Sequence, residues 1–241
     1  MPDARVPVST VVYDALRADI LSGRVRPGDG IPSERTLSER FEVNRHAVRE
    51  AVKRLQQAGL VQVSHGGATR VLDWRRTGGL ELLVDLPPED VGVARAAYEL
   101  RACIAADVAA RAAARATDED RASLAARAAA FAAAREHCVA TDGPVSPGPA
   151  LLDAYRELWD VLVDATGNIA YRLAYNSLLH GEDAVTAVAV IYLRDELLDA
   201  ETTDALVAAV LDSDADAARA AAATLTAHTL TALSPTEAPS R

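Results

Sequence analysis

Arg45 and Arg49 stand four residues apart in the stretch Asn44-Arg45-His46-Ala47-Val48-Arg49. On a helix that spacing puts both guanidinium groups on one face. A guanidinium fork can donate two hydrogen bonds to O6 and N7 of a guanine, while Asn and His side chains reach base edges or phosphates. Asn44, Arg45, His46 and Arg49 therefore form a candidate set for reading a DNA major groove. The alternative is a solvated charged helix face, and the surrounding elements decide between the two.

Those elements are local and regular. Residues 10–22 carry Val11, Val12, Ala15, Leu16, Ile20 and Leu21 at helical spacing, with Gly23 as a stop. The run Arg26-Pro27-Gly28-Asp29-Gly30 is turn chemistry. Ser33 is placed to cap a second helix, with Glu34 in its first turn and Leu37 and Phe41 on its buried side. Asn44 caps a third helix over 45–58, whose inner face is Ala47, Val48, Ala51, Val52 and Leu55 and whose end is Gly59. A short helix, a tight turn and a helix that starts polar make a helix-turn-helix, in which the start of the second helix enters the major groove. Residues 60–63 and 68–72 then read as two short strands around Ser64-His65-Gly66-Gly67. A hairpin in that place is a wing, and its tip at His65 and Gly66 can approach a minor groove because Gly66 has no side chain.

Charge divides the chain at the same place. The whole sequence of 241 residues carries −10, but residues 1–76 carry +4 and residues 77–241 carry −14. That asymmetry suits a DNA-facing segment fused to a domain with another task. Half of the chain is hydrophobic and only 4 % aromatic, as close-packed helices with small side chains require. No uncharged apolar run is long enough for a membrane span. No signal-peptide pattern opens the chain, and Cys103 and Cys138 belong to no CxxC, so a cytoplasmic protein without structural zinc is expected. Catalysis is not expected either. There is no GxSxG, Walker or GxGxxG motif, and the only lysine, Lys53, lies in the third helix.

The sequence Pro32-Ser33-Glu34-Arg35-x-Leu37-Ser38, then Val43-Asn44-Arg45-x-Ala47-Val48-Arg49-Glu50-Ala51, then Leu55-x-x-x-Gly59-Leu60-Val61 resembles the GntR family of bacterial regulators. The resemblance implies binding to double-stranded operator DNA as a homodimer. It adds Arg35 and Ala47 to the DNA-contact set of Asn44, Arg45, His46, Arg49, His65 and Gly66.

Beyond an interdomain joint expected at 74–79, every element reads as helix: 80–86, 89–115, 117–139, 151–166, 169–179, 183–198, 202–211 and 214–233. The tail 234–241 reads as disordered. The fold expected is mainly α, a winged helix-turn-helix over 1–73 joined to an all-helical effector-binding bundle over 80–233. Relatives of the GntR family with FCD-type helical domains hold a metal with an Asp and a His placed before a Gly-Asn. Here Gly167-Asn168 is present, but the two positions are Tyr155 and Trp159, so no metal and no cofactor are expected. In that departure the chain is similar to the fatty-acid-responsive FadR subgroup. This similarity implies a repressor controlled by a fatty acyl-CoA, with Arg101, Tyr171, Tyr175, Asn176 and Tyr192 lining the ligand site, and with Arg101 and Arg172 as partners for the CoA phosphates. A small carboxylate, needing one Arg and a few hydroxyl donors, is the other effector class.

Overall fold

A computed structural model describes residues 7–64, 68–86, 91–140 and 147–234; for 84, 85 and 179–191 it describes the backbone alone. His65 and Gly66 at the expected wing tip, and the tail from 235 on, lie outside the described residues. The chain divides into two compact units, Met1–Leu86 and Pro87–Arg241.

In the first unit, α1 (Val8–Leu21), α2 (Glu34–Arg40) and α3 (Arg45–Gln57) surround a core of Val12, Leu16, Ile20, Leu37, Val48, Ala51 and Leu55, each at most 3 % exposed. Capping sets where the helices begin. The Thr36 N–H donates to Ser33 Oγ at 3.2 Å, and the Ala47 N–H donates to Asn44 Oδ1 at 2.8 Å. Each such bond satisfies one of the first-turn N–H groups that have no partner inside the helix. Strand β1 (Val61–Gln62) pairs antiparallel with β2 (Arg70–Val71). The segment before α2, read from sequence as turn chemistry, does more than turn. The Gly28 N–H donates to the Val71 carbonyl, the Val71 N–H to the Asp29 carbonyl and the Ile31 N–H to the Thr69 carbonyl, at 2.8–2.9 Å, so residues 28–31 extend the wing along the other side of β2.

Between α2 and α3 the backbone turns at Glu42, whose φ of 54° is left-handed. A Cβ in that region costs about 1–2 kcal/mol. Glu42→Gly is therefore expected to raise the stability of this unit by about 0.5–1 kcal/mol, since glycine's greater freedom in the unfolded chain offsets part of the gain. A urea titration reads the difference.

The stretch 74–79, expected as a joint, belongs to the first unit. Trp74–Thr77 forms α4, and residues 80–85 form a 3-10 helix that buries Leu82 in the N-terminal core. Thr77 Oγ1 donates to the Gly59 carbonyl at 2.7 Å. Gly59 has φ +70°, and a Cβ there would lie 2.3 Å from the Thr77 carbonyl oxygen. Gly59→Ala is expected to cost about 1–3 kcal/mol through backbone strain and displacement of α4, with Tm falling accordingly in a thermal melt.

The second unit holds α5 (Val91–Arg115), α6 (Asp118–Val139), α7 (Pro149–Ala165), α8 (Ile169–Leu198), α9 (Ala200–Leu211) and α10 (Ala215–Ala232). Thr117 and Asp120 close a capping box at the start of α6. Helices α5 and α10 meet through alanine faces, with Ala105, Ala109 and Ala112 on one side and Ala218 and Ala222 on the other, all 5 % exposed or less. Small side chains let the two helices approach closely, which is how an alanine-rich composition builds a core. Helix α8 runs unbroken for 30 residues, where the sequence suggested two helices parted near Gly181. One internal glycine costs only about 1 kcal/mol, which the turns on either side offset. Among the described residues no helix is long and apolar enough to cross a membrane.

Candidate nucleic-acid interface and effector site

The apolar stripe of α3 holds that helix on α1 and α2 and leaves its other side outward. Asn44, Arg45, His46 and Arg49 are all exposed. Asn44 has one side-chain oxygen committed to the cap, with its amide NH2 group pointing away from that bond. The side chains of His46 and Arg49 are 87 % and 69 % exposed, and Arg49 Nε lies 2.7 Å from Glu34 Oε2. A pair this open to solvent contributes little stability, so it leaves Arg49 able to exchange Glu34 for another acceptor. Arg35 on α2 is exposed and lies 3.6 Å from Glu39. Ala47 is different: it is only 9 % exposed, so little of its side chain is open to a DNA groove.

A groove runs between α3 and the wing, lined by Pro32, Ser33 and Glu34, by Arg49, Lys53 and Gln56, and by Val63, Ala68 and Thr69. Lys53 and Gln56 continue the exposed face of Arg49 at steps of four and three residues, a helical period legible in the sequence but not used there. Arg70 Nη1 donates to the Gly28 carbonyl at 2.9 Å and ties the wing to the segment before α2.

In the helical unit four of the five residues expected around a ligand, Tyr171, Tyr175, Asn176 and Tyr192, lie on α8 and the fifth, Arg101, on α5. Tyr171 donates its hydroxyl to Asp107 and accepts from Arg111 Nε at 3.0 Å, and Arg219 completes that cluster at 2.9 Å from Asp107. The Tyr171, Arg111 and Arg219 hydrogen bonds hold the Asp107 carboxyl well below the usual carboxylate range, and the same bond to Asp107 raises the Tyr171 phenol. The cluster's contribution is thus complete above about pH 4 and withdrawn only on strong acidification. The Tyr175 hydroxyl donates to the Arg156 carbonyl at 3.3 Å. Asn176 and Tyr192 are half-buried on α8. Arg172 lies 2.5 Å from Asp160 and 2.6 Å from Asp164, so its charge is matched by carboxylates of α7.

Arg101 is held in a buried polar cluster. Its Nη2 and Nη1 donate to Glu196 Oε1 and Oε2 at 2.5 and 3.1 Å, and its Nη2 lies 3.3 Å from the Tyr155 hydroxyl. The Tyr155 hydroxyl donates to Glu196 Oε1, and Thr229 Oγ1 donates to Oε2 at 2.5 Å. Glu196 and Thr229 are fully buried. Burial first, and the Glu196 charge second, push the Tyr155 phenol well above its ordinary value, so it remains a donor. The cluster joins α5, α7, α8 and α10. Sequence reasoning missed Glu196 and Thr229, although a signal existed: Leu193, Glu196 and Leu197 share one helical stripe, as do Ala222, Leu225, Thr226 and Thr229. Tyr155 and Trp159 are buried in the core. Among the described residues no three His, Cys, Asp or Glu side chains gather as a metal site.

Residues 8–71 match the bacterial regulatory proteins of the gntR family, and residues 96–228 match the FCD domain, more than half of the chain. The chain belongs to the GntR family. This regulator is 35 % identical over 181 residues to the HTH-type transcriptional regulator Mce2R of Mycobacterium tuberculosis, covering 73 % of this chain and 70 % of that one. It is 40 % identical to the fatty acid metabolism regulator protein of Vibrio vulnificus over 72 residues, 30 % of this chain and 26 % of that relative. Lar of Listeria monocytogenes has the same fold, with a TM-score of 0.61 at 14 % identity over 96 % of this chain and 98 % of its own. A Streptococcus agalactiae GntR protein matches with a TM-score of 0.50 at 21 % identity over 92 % and 99 %. The GntR regulator is thus a transcription factor with an FCD effector domain, and its relatives regulate transcription rather than catalyse reactions.

Proposed function

We propose that this GntR regulator binds a pseudo-palindromic operator as a homodimer and releases it when a small-molecule carboxylate enters the helical unit, which makes it a repressor. The DNA reading is carried by the exposed Arg45, His46 and Arg49 at the capped start of α3. There the first-turn N–H groups favour a phosphate and the side chains reach base edges. Asn44 and Arg35 flank that face, Lys53 follows it, and His65 and Gly66 serve as the wing tip. Ala47 supports the face from beneath instead of reading bases. Two-fold symmetry of the protein places two α3 helices on related half-sites. Ligand binding weakens the complex by favouring a state of the dimer whose recognition helices no longer match the half-site spacing.

The carboxylate reading is supported by the donors Arg101, Tyr155 and Thr229, which hold the carboxylate of Glu196 and suit that group. A fatty acyl-CoA is the second reading, favoured by the likeness of a 72-residue stretch to a fatty acid metabolism regulator and by the Leu- and Ala-rich core. Against it, Arg172, one of the two residues expected to meet the CoA phosphates, is already paired with Asp160 and Asp164. Tyr171, Tyr175, Asn176 and Tyr192 then shape the surroundings of α8.

Fluorescence anisotropy of labelled operator, titrated separately with short carboxylic acids, with medium- and long-chain acyl-CoAs and with free CoA, distinguishes the two. Release by acids alone supports the carboxylate reading. Release by acyl-CoAs alone replaces it with the second. An operator complex unmoved by every compound at about a hundred times a micromolar Kd excludes both.

A further inference from the structure

Glu196 is the one fully buried carboxylate among the described residues. Each of its oxygens accepts two hydrogen bonds: Oε1 from Arg101 Nη2 and the Tyr155 hydroxyl, Oε2 from Arg101 Nη1 and Thr229 Oγ1. An ionised carboxylate offers about four acceptor positions, so this one is fully satisfied. Its donors all come from helices other than its own, and the whole set lies in the apolar cluster that includes Leu158, Leu193, Leu197 and Leu225. Such donors recognise a carboxylate, and nothing in their geometry requires that it be attached to α8.

The position of Glu196 on α8 adds a second observation. It lies in the last turn of that helix, which ends at Leu198. Carbonyl groups at a helix C-terminus carry partial negative charge, so a carboxylate there is repelled by its own helix. The next residue after the helix, Asp199, has non-helical ψ 90° and separates α8 from α9. A break of this kind can absorb the backbone change that a departing side chain needs. A free carboxylate arriving at Arg101 would replace the hydrogen bonds one for one, and Glu196 would move its own charge away from the end of α8.

We propose that Glu196 is the resident occupant of the carboxylate site of this domain, and that a small monocarboxylic acid binds by taking its place. The proposal rests on the reading that the domain takes a carboxylate effector. It adds the regulation of that site: Glu196 is a built-in competitor that sets the concentration at which the regulator responds. Because the ligand binds only the fraction of molecules in which Glu196 has left, the apparent affinity is lowered in proportion to that fraction.

The test uses the full chain as wild type, Glu196→Ala and Glu196→Gln, with sodium acetate and sodium propionate as probes and sodium chloride at equal ionic strength as control. Alanine vacates the site. Glutamine keeps the shape but holds it less well, since its amide nitrogen cannot accept from Arg101. Both acids are expected to raise the Tm of the variants saturably, with propionate at least about tenfold tighter in either variant than in wild type. Adding Arg101→Met to either variant is expected to abolish the shift. If Glu196→Ala does not fold, Glu196→Gln carries the comparison. Variants that bind acetate and propionate no better than wild type would overturn the proposal, leaving Glu196 as a structural tie only. The wild-type operator titration with carboxylic acids fails or succeeds separately: no response there, with rescue intact in the variants, removes the effector reading and leaves the occupied carboxylate site.

Discussion

Replacing Arg45 and Arg49 together by Ala is expected to weaken operator binding by roughly 2–6 kcal/mol, at least about 30-fold, because each side chain supplies a base-reading contact of about 1–3 kcal/mol. Neither residue supports the fold. Both are exposed, the cap from Asn44 to the Ala47 N–H is untouched, and the Arg49–Glu34 pair is open to solvent. The variant should therefore melt where wild type does, which separates loss of recognition from loss of structure. Lys53→Ala provides the contrast. On the groove between α3 and the wing, its ammonium suits a phosphate, so its removal should weaken all DNA sequences alike and reduce the salt dependence by about one ion per half-site. Sequence preference should relax in the arginine variants and persist in the lysine variant. Equal operator affinity of the double variant and wild type at moderate salt would remove α3 as the reading helix.

The second large effect falls on stability. Glu196→Ala is expected to cost the helical unit about 3–5 kcal/mol, since it strands a guanidinium in the core. The Arg101 side chain is only 16 % exposed and Glu196 is 0 % exposed, so water cannot substitute for the lost partner at Arg101 as it would on the surface. Tyr155 and Thr229 lose their acceptor at the same time. Removing the cation as well, in Arg101→Met with Glu196→Leu, should cost less than Glu196→Ala alone, because desolvation of the pair offsets most of its attraction. Urea unfolding followed by circular dichroism gives both values. A single alanine variant within about 1 kcal/mol of wild type would mean that the buried network contributes far less than its geometry requires.

How much of this could be read in advance depended on how local each signal was. The helix-turn-helix was legible because Ser33 and Asn44 cap their own helices and Val48, Ala51, Val52 and Leu55 mark a face within a few turns. The third extended segment at 28–31 was not, because its hydrogen bonds go to β2, some forty residues later in the chain. The stretch around Trp74 looked like a joint on the strength of Gly78 and Gly79, while its packing depends on Leu82 and on the approach of Thr77 to Gly59. Gly181 suggested a helix end that the neighbouring turns of α8 override. In the helical unit Arg101 was singled out only through resemblance. Its partners come from three other helices, and no period in the sequence announces that Tyr155, Glu196 and Thr229 meet. A glutamate and a threonine on apolar stripes are the traces that the network leaves in the sequence.

Sequence-specific operator recognition through α3 is tested most directly by selecting from a random double-stranded DNA pool with the full chain at moderate salt. The enriched sites should then be titrated for affinity and stoichiometry. Recognition by two α3 helices requires an enriched pseudo-palindrome, half-sites about one helical turn apart, two chains bound per duplex, and affinity at least about a thousandfold above that for random DNA. A pool that shows no motif, or selected sites bound no tighter than random duplex, would contradict it.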